Sequence, residues 1–337
     1  MSLSSFLILF DKAGIIDHFA KFFPIDPLAI VMYHNIGKNE ISWLQEKPLP
    51  SQILEMQIKY LKKVGYSILP LGEALCLIRR GESPKRIAVL TFDDGYVGVY
   101  KYAFPIMRKY GIRCTVFVPS SFVKYKTIPW YEQLAFIIDH LDIPTKLDLA
   151  QFGTSIIYSI NDKIRVKQNF INKLLNEDIE GINLFIKKLV DTSGIDVSKA
   201  LELPIMLNHD ELKEMVEYGI EIGGHGFCHV SLPILASDRL QNELYEAYSF
   251  VREYSRSQFM TFAYPFGTYS EGVVDCLKKV GFSAAVTMEN FVNNTNSLNL
   301  YKLGRIPPYT FDQRKLASFK YGLIRPKKIL QRYHFIP

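Results

Sequence analysis

Cysteine is scarce in this chain. Four cysteines occur among 337 residues, they are far apart, and none forms a Cys-x-x-Cys pair: Cys76, Cys114, Cys228 and Cys276. This spacing argues against a disulfide framework and is more typical of reduced, mostly buried thiols in a cytosolic protein. Cys228 lies between two histidines, but its spacing from the first is a weak signal, so we predict a structural role for it.

Long apolar runs are also missing. The apolar start at residues 3–10 is ended by Asp11 and Lys12, which makes it too short to span a bilayer. It has neither a basic start nor a small-residue cleavage site, so we expect no signal peptide and a cytoplasmic protein. Residues 1–27 instead have the apolar spacing of an amphipathic helix, which would pack on the protein or lie on a membrane surface.

A strong charge of one sign is absent as well. The formal charge of +6 is modest, is spread along the chain and accompanies no nucleic-acid motif, so we expect no DNA or RNA partner. Four basic residues alternate with apolar and aromatic ones in the C-terminal tail at 319–337: Arg325, Lys327, Lys328 and Arg332. This pattern suits an anionic lipid surface, and a solvated basic face is an equal alternative. Peripheral contact with a membrane is therefore left open.

What the chain does contain is an alternation of strand and helix patterns. Short β-like runs are separated by amphipathic stretches, several of which end at a glycine. The alternation predicts parallel strands wrapped by helices, and the length suits one large α/β domain with an elaboration. Between about residues 128 and 205, helical periodicity predicts an inserted helical subdomain.

Two adjacent carboxylates follow an apolar strand. Residues 87–90 form the strand pattern and lead into Thr91–Gly95, which reads Thr-Phe-Asp-Asp-Gly. Parallel α/β folds place their active sites at the carboxyl ends of strands. Because successive residues leaving a strand point in different directions, one carboxylate can bind a metal while the other handles a proton. The simpler alternative is an Asp-Gly turn.

Two histidines follow a second strand pattern. His225 and His229 are four residues apart, so they would share one face of a helical turn. Two imidazoles and one carboxylate leave an open position for water, which is typical of a catalytic zinc site. A third strand-end segment reads Tyr-Pro-Phe-Gly, and such a loop can present a backbone N–H to a ligand: Tyr264, Pro265, Phe266 and Gly267.

In this order the three segments resemble the polysaccharide deacetylase family, also called the NodB-homology family or carbohydrate esterase family 4. Thr91–Gly95 matches the first family motif in full. His225 and His229 match the His-x-x-x-His motif, with Gly226 where serine or threonine is usual. The third segment matches the Pro-aromatic-Gly part of its motif. The resemblance covers roughly residues 28–125 and 205–310.

Two departures from the family pattern bear on the site. The arginine of the third motif falls on Ala263, and neither an Asp-x-x-Asp-Trp nor a late Leu-x-His motif is found. His34 ends an early strand pattern and resembles the strand-end histidine of circularly permuted members, which include deacetylases of biofilm poly-N-acetylglucosamine. Arg305 ends a late β-like run and is the candidate to replace the arginine, with a surface ion pair as an equal alternative.

The resemblance implies a distorted (β/α) barrel of about seven parallel strands over residues 28–318. It also implies one divalent metal ion held by Asp94, His225 and His229. Zinc is the simplest choice, and iron, cobalt and nickel stay open because these ligands suit several metals.

The implied activity is N-deacetylation of an amino sugar in a saccharide, such as a lipid-linked or surface-polysaccharide precursor. Asp93 would act as the general base, His34 would protonate the leaving amine, and the N–H of Phe266 would help to stabilise the oxyanion. The alternatives are a related amide hydrolase, such as a sugar deformylase, and a catalytically weak glycan-binding member. Trp130, at the start of the insertion, would stack on a sugar or anchor the insertion.

Overall fold

The computed structural model describes residues 27–149, 152–255, 257, 259–308 and 316–324, and its centre is a curled sheet. Numbered in chain order, seven of its strands run parallel: β1 (Pro27–Tyr33), β2 (Ser67–Ile68), β3 (Ile87–Phe92), β4 (Thr115–Val118), β7 (Glu221–Gly224), β8 (Thr261–Ala263) and β9 (Ala284–Val286). The main path follows the order β10-β1-β3-β4-β7-β8-β9, with β2 beside β3. β10 (Asn293–Asn294) pairs antiparallel with β1.

The two ends of this sheet are linked by a late segment of the chain. Leu303 forms a parallel bridge to Val286 of β9, and Ile306 forms one to Val31 of β1. Arg305 lies between these two contacts. The sheet therefore curls into a distorted barrel, and the predicted α/β fold with about seven parallel strands is confirmed.

The strands are apolar because both of their faces are covered. All six residues of β3 are buried, which is typical of a parallel strand between a core and surrounding helices. The helices outside the insertion lie between successive strands: α1 (Ser51–Lys63), α2 (Leu71–Arg80), α3 (Phe104–Tyr110), α4 (Ser120–Lys124), α9 (His209–Tyr218), α10 (Ser237–Tyr254) and α11 (Glu271–Val280). A π-helical turn, Val99–Ala103, precedes α3.

Helix α9 begins as its sequence predicts. The Asn208 side chain accepts the backbone N–H groups of Asp210 and Glu211, and the Glu211 carboxylate accepts the N–H of Asn208. This reciprocal capping box satisfies backbone donors that the first turn leaves free. His209 occupies the first helical position, and its Nδ1 contacts the Tyr254 hydroxyl.

The insertion contains helices and a small sheet. Its helices are α5 (Trp130–His140), α6 (Ile160–Leu174), α7 (Ile179–Ser193) and α8 (Ser198–Leu201). An antiparallel hairpin of β5 (Thr145–Asp148) and β6 (Thr154–Ile157) was not predicted. The insertion has its own apolar cluster, which also includes Tyr96 and Val230 from loops of the barrel. These shared contacts place the insertion against the carboxyl ends of the strands.

The predicted terminal segments lie mostly outside the described residues. Residues 1–26 and 325–337 lie outside the described ranges. The amphipathic segment at 1–27 and most of the tail at 319–337 therefore stay predictions. The described part of the tail belongs to α12 (Leu316–Ile324), where Phe319 and Leu323 pack on the main core. Within the described ranges, every helix is too short or too polar to cross a membrane.

Candidate active site

Three side chains that follow different strands converge at one end of the sheet. Asp94 lies two residues after β3, His225 follows β7 directly, and His229 lies further along the same loop. Nε2 of His225 lies 3.2 Å from Oδ1 of Asp94, and Nε2 of His229 lies 3.1 Å from the same oxygen. All three side chains are buried, and their ligand atoms lie within 4.8 Å of one another. The three residues thus form a possible metal site.

The hydrogen bonding of His225 orients its ring for binding a cation. Its Nδ1 lies 2.7 Å from the carbonyl oxygen of Ala263, and a carbonyl can only accept, so Nδ1 carries the proton. The other ring nitrogen, Nε2, faces Oδ1 of Asp94 at 3.2 Å, so the ring is oriented to bind an ion together with that carboxylate. Burial lowers the pKa of His229, which favours a neutral ring with a free lone pair at that residue. The donor set therefore fits a divalent metal ion.

The backbone is strained at this site. Asp94, His229 and Phe266 have φ values of 70°, 54° and 56°, in the left-handed region that side chains rarely adopt. Each such residue costs roughly 1–3 kcal/mol, and strain of this kind clusters at functional sites. The surrounding fold therefore holds these residues in place against their local preference.

The loop between the two histidines is held by Glu243 of α10. One carboxylate oxygen of this buried residue accepts the N–H groups of Phe227 at 2.8 Å and Cys228 at 2.7 Å. Gly226 has a φ of +76°, and a Cβ there would lie 3.0 Å from the same oxygen. This explains why glycine replaces the serine or threonine expected after His225. Cys228 is a free, half-buried thiol whose N–H, and not its sulfur, takes part in this contact.

Asp93 lies beside the three converging residues and is paired with Arg305. Nη1 of Arg305 donates to Oδ1 of Asp93 at 2.7 Å and to the Thr91 hydroxyl at 3.3 Å, while its Nε donates to the Thr287 carbonyl at 2.8 Å. The Arg305 side chain is fully buried, so a surface ion pair is excluded. Burial raises the pKa of Asp93, but the Arg305 charge, the nearby His225, the Arg305 hydrogen bond and His34 together outweigh it and hold the pKa below its usual value. Asp93 is therefore ionised at neutral pH.

His34 directly follows β1 at the same end of the sheet and is partly buried. Burial lowers the pKa of its imidazole, but the net pKa is raised by three carboxylates: Glu46, Asp94 and Asp93. Arg305 acts in the opposite direction. The imidazole therefore lies in the electrostatic field of the same acidic residues that surround the possible metal site.

The third sequence segment forms a turn after β8. Its Phe266 ring packs edge-on against His229, with centroids 4.5 Å apart. Pro265 and Tyr264 are buried, and the Tyr264 hydroxyl donates to the Tyr301 carbonyl at 3.0 Å. Gly267 has a φ of +67°. The Phe266 side chain therefore contacts the cluster.

Trp130 is a buried anchor. It is 3% exposed, and its indole N–H donates to the His229 carbonyl at 3.2 Å. The alternative that it stacks on a sugar requires an exposed ring and is wrong for this conformation. The neighbouring Tyr131 ring contacts the His229 ring, with centroids 5.5 Å apart. The first turn of α5 therefore supports the histidine loop from the insertion.

Three glutamates near the site were missed by the sequence analysis: Glu46, Glu132 and Glu243. Glu132 and Glu243 are buried, and each accepts two backbone N–H groups. A carboxylate in the stretch from Trp130 to Ile138, where Gln133 is the other polar residue, was the available signal for Glu132. The partners of Glu132 and Glu243 come from distant segments, so their contacts become visible only in the folded chain.

Comparison with known proteins identifies a family whose sequence model matches the part of the chain that contains most of the site. The sequence model of the polysaccharide deacetylase family matches residues 80–147 and 155–285. The matched ranges contain Asp93, Asp94, His225 and His229, whereas His34 and Arg305 lie outside them.

Curated relatives agree with this match. The Bacillus subtilis protein YxkH, which is assigned to the same family, is 22% identical over 263 residues, covering 78% of this chain and 64% of YxkH. A poly-β-1,6-N-acetyl-D-glucosamine N-deacetylase of Staphylococcus aureus is 39% identical over 179 residues, covering 50% of this chain and 58% of the relative. The chain thus spans less than two thirds of the length of both relatives.

Solved structures share the fold. The deacetylase PplD of Streptococcus pyogenes, solved in complex with acetate, aligns with a TM-score of 0.59 and 16% identity, covering 89% of this chain and 99% of PplD. IcaB from Ammonifex degensii aligns with a TM-score of 0.56 and 18% identity, covering 88% of this chain and 97% of IcaB. These likenesses support the barrel architecture described above.

Proposed function

This chain belongs to the polysaccharide deacetylase family, and from that premise we propose that it hydrolyses the N-acetyl group of an amino sugar in a surface polysaccharide or its precursor. The observation that carries the proposal is the convergence of Asp94, His225 and His229 beside the Asp93–Arg305 pair. The name of the S. aureus relative supports a β-1,6-linked N-acetylglucosamine polymer as the substrate class.

The proposed metal ligands are Asp94, His225 and His229, and the ion is one divalent cation, with zinc as the simplest choice. When bound, the ion would activate a water molecule and polarise the acetamide carbonyl. The carbonyl of Ala263 fixes the His225 ring through Nδ1, which leaves Nε2 for the ion.

Asp93 and His34 are proposed to move the protons. Asp93, kept ionised by Arg305, accepts a proton from the attacking water as its oxygen bonds to the carbonyl carbon. The N–H of Phe266 is proposed to donate to the developing oxyanion. His34 then donates a proton to the amide nitrogen as the C–N bond breaks. The products are acetate and a free amino sugar, so the reaction consumes one water molecule.

Mass spectrometry of substrate panels tests the proposal. The zinc-loaded protein is incubated with β-1,6-linked and β-1,4-linked N-acetylglucosamine oligomers, and with N-formyl and longer N-acyl analogues. Loss of acetyl from the β-1,6 oligomers at the highest rate is the expected result. Faster loss of formyl would indicate a deformylase instead. No acyl loss from any member would overturn the proposal and favour a glycan-binding role.

Replacing Arg305 with methionine is expected to impair Asp93. Without the guanidinium, burial raises the pKa of Asp93, so the acid limb of the pH–rate profile should move to higher pH. We expect a rate loss on the order of 10–100-fold, by analogy with the loss of a residue that supports a metal ligand. An unpaired buried carboxylate should also lower the free energy of unfolding by about 3–5 kcal/mol. Kinetics across pH and denaturant unfolding measure these effects.

The matched control for this variant is Arg113→Met. Arg113 pairs with Glu73 at 2.8 Å, but these side chains are 42% and 35% exposed, so the pair contributes only about 0–1 kcal/mol. An Arg305→Met protein with the wild-type acid limb would show that Asp93 does not depend on Arg305.

The site of action is proposed to be the cytoplasmic side of a membrane, with the basic tail in contact with anionic lipid. Each basic residue near such a surface adds about 1 kcal/mol, so the four in the tail would give weak, reversible binding. Co-sedimentation should therefore be stronger with anionic than with neutral liposomes and should fall at high salt. Equal binding to both, or none, would remove the membrane contact and leave the deacetylase proposal intact.

A further inference from the structure

Asn293 is a buried amide that pairs with the residue before Arg305. It lies in β10 and is 4% exposed. Its Oδ1 accepts the N–H of Gly304 at 3.0 Å, and its Nδ2 donates to the Gly304 carbonyl at 2.9 Å and to the Leu28 carbonyl of β1 at 3.3 Å. Because an N–H can only donate and a carbonyl can only accept, these partners fix the orientation of the amide. The Asn293 side chain therefore pairs with Gly304 as the peptide group of a neighbouring strand would, and it links Gly304 to β1.

Gly304 is packed too closely to carry a side chain. A Cβ at this position would lie 2.6 Å from the Phe291 ring, so a larger residue would displace either the ring or the backbone. The next peptide group is bonded as well, because the N–H of Arg305 donates to the Glu289 carbonyl at 2.9 Å. The backbone that leads into Arg305 is therefore placed by close packing on one side and by the Asn293 amide on the other.

A second buried amide holds the same segment after Arg305. Gln57 lies on the buried face of α1 and is 2% exposed. Its Nε2 donates to the Pro308 carbonyl at 2.6 Å, and its Oε1 accepts the Tyr33 hydroxyl at 2.6 Å. Tyr33 is also bonded to Asp93, because its carbonyl accepts the Asp93 N–H at 2.9 Å. Gln57 therefore links the segment that carries Arg305 to the strand end beside Asp93.

The pair of Arg305 and Asp93 depends on where both backbones lie. The guanidinium reaches the carboxylate at 2.7 Å, and such hydrogen bonds weaken steeply when their alignment is lost. A displacement of about 1 Å in a catalytic group can cost about 100-fold in rate. Asn293, Gln57 and Arg305 all lie outside the residues matched by the family model, so the match itself gives the two amides no role.

We propose that Asn293 and Gln57 are positioning residues for the general base: the two amides clamp residues 304–308 so that Arg305 holds the Asp93 carboxylate in its working direction. Asn293 fixes the backbone before Arg305, and Gln57 fixes it after Arg305. The hydrogen bonds of both amides go to other residues than Asp93, so their effect on the base passes through Arg305. The inference rests on the proposed function, in which Asp93 accepts a proton from the attacking water.

Replacing either amide with leucine should slow the reaction without weakening substrate binding. Leucine has a similar size but forms none of the hydrogen bonds, so the backbone groups of Gly304 or Pro308 lose their partner. We expect kcat to fall by about 10–100-fold in Asn293→Leu and in Gln57→Leu, by analogy with the loss of a residue that supports a metal ligand. KM and the zinc content should stay close to wild type. A rise in KM with an unchanged kcat would overturn the positioning role.

A double mutant separates positioning from a general structural effect. If Asn293 acts through Arg305, the Asn293→Leu/Arg305→Met protein should have the kcat of Arg305→Met alone, because the two effects are coupled. Losses that multiply would overturn this route. The matched control is Thr115→Val. Thr115 is a fully buried residue at the start of β4, and its hydroxyl accepts the Leu71 N–H at 2.8 Å. This variant should lose stability while keeping the wild-type kcat.

Hydrogen exchange at Arg305 keeps the test independent of turnover. Its Nε–H donates to the Thr287 carbonyl at 2.8 Å in a buried environment, so this proton should exchange slowly with solvent. The signal is followed by NMR in the zinc-loaded full chain with isotope-labelled arginine, and Arg305→Met assigns it. Exchange at least about tenfold faster in Asn293→Leu and in Gln57→Leu, but not in Thr115→Val, is the expected result.

The other outcomes of the exchange experiment are equally decisive. Faster exchange in one leucine variant alone would overturn the role of the other amide. Unchanged exchange in both, or an equal increase in the Thr115→Val control, would overturn the clamp. The expected exchange rates in a protein without activity on any saccharide would instead overturn the proposed function and leave the clamp on Arg305 in place.

Discussion

A His229→Ala protein is expected to fold normally and to lose its metal and its activity together. His229 is one of three buried side chains that meet at a single Asp94 oxygen, so its removal leaves an incomplete donor set. Loss of a residue that merely supports a ligand already costs about 10–100-fold in metal affinity, and loss of the ligand itself should cost more. Elemental analysis after dialysis measures the bound metal, and circular dichroism checks the fold.

The matched control for that variant is His209→Ala. His209 is also a partly buried histidine with a hydrogen-bonding partner, the hydroxyl of Tyr254, but it lies at the start of α9 and away from the converging ligands. It should keep wild-type metal content. A His229→Ala protein that retains its full complement of metal would show that the ion is held elsewhere.

An Asp93→Asn protein is expected to keep its metal and to lose at least about 100-fold in rate, the usual contribution of a positioned general base. Asparagine fills the same space but cannot take a proton from water. The acid limb of the pH–rate profile should disappear with the carboxylate. Single-turnover kinetics on the preferred oligomer, with metal content measured on the same sample, test this expectation.

His34→Ala is the companion to Asp93→Asn. It should also keep the metal and lose a comparable factor in rate, but the basic limb of the profile should disappear instead of the acid limb. Wild-type turnover in His34→Ala would show that the strand-end histidine is not the acid. The interpretation of β1 as the first strand of a circularly permuted member, which stays a prediction, would then lose its support.

The cluster of Asp94, His225 and His229 could be predicted from sequence because local patterns were sufficient. Each residue follows a strand, and parallel strands place their carboxyl ends at one edge of a sheet. His34 could be placed at the same edge by this reasoning. The left-handed φ of Asp94 and His229 could not be predicted, because it depends on contacts that the rest of the fold imposes.

The partners of these residues were harder to predict. Arg305 and Asp93 are 212 positions apart, and they meet because residues 303–306 bridge the first and last parallel strands. From the sequence, a role as the partner of Asp93 and a surface ion pair were equally supported interpretations of Arg305. The Glu132 carboxylate accepts two backbone N–H groups of the loop after β1, from residues 86 and 87 positions earlier in the chain. A contact between residues so far apart produces no periodic pattern in the sequence.

The secondary structure of the insertion could also be predicted only in part from the sequence. Its helical periodicity was read correctly for α5, α6 and α7, because each has a buried apolar face. The hairpin of β5 and β6 was missed: only Leu147 and Ile157 are buried in it, so the strands carry a weak apolar signal. Trp130 illustrates the opposite case, since an aromatic residue near a predicted site proved to be a structural anchor.

Acetate release before and after metal exchange is the most direct test of metal-dependent deacetylation at Asp94, His225 and His229. The protein is stripped with a chelator, the loss of metal is verified by elemental analysis, and acetate release from a β-1,6-linked N-acetylglucosamine oligomer is measured before and after zinc is returned. The expected result is no release from the stripped protein, full recovery with zinc, and no recovery for His229→Ala. Undiminished release from protein verified to be free of metal would contradict the assignment of Asp94, His225 and His229 as the metal site of a deacetylase.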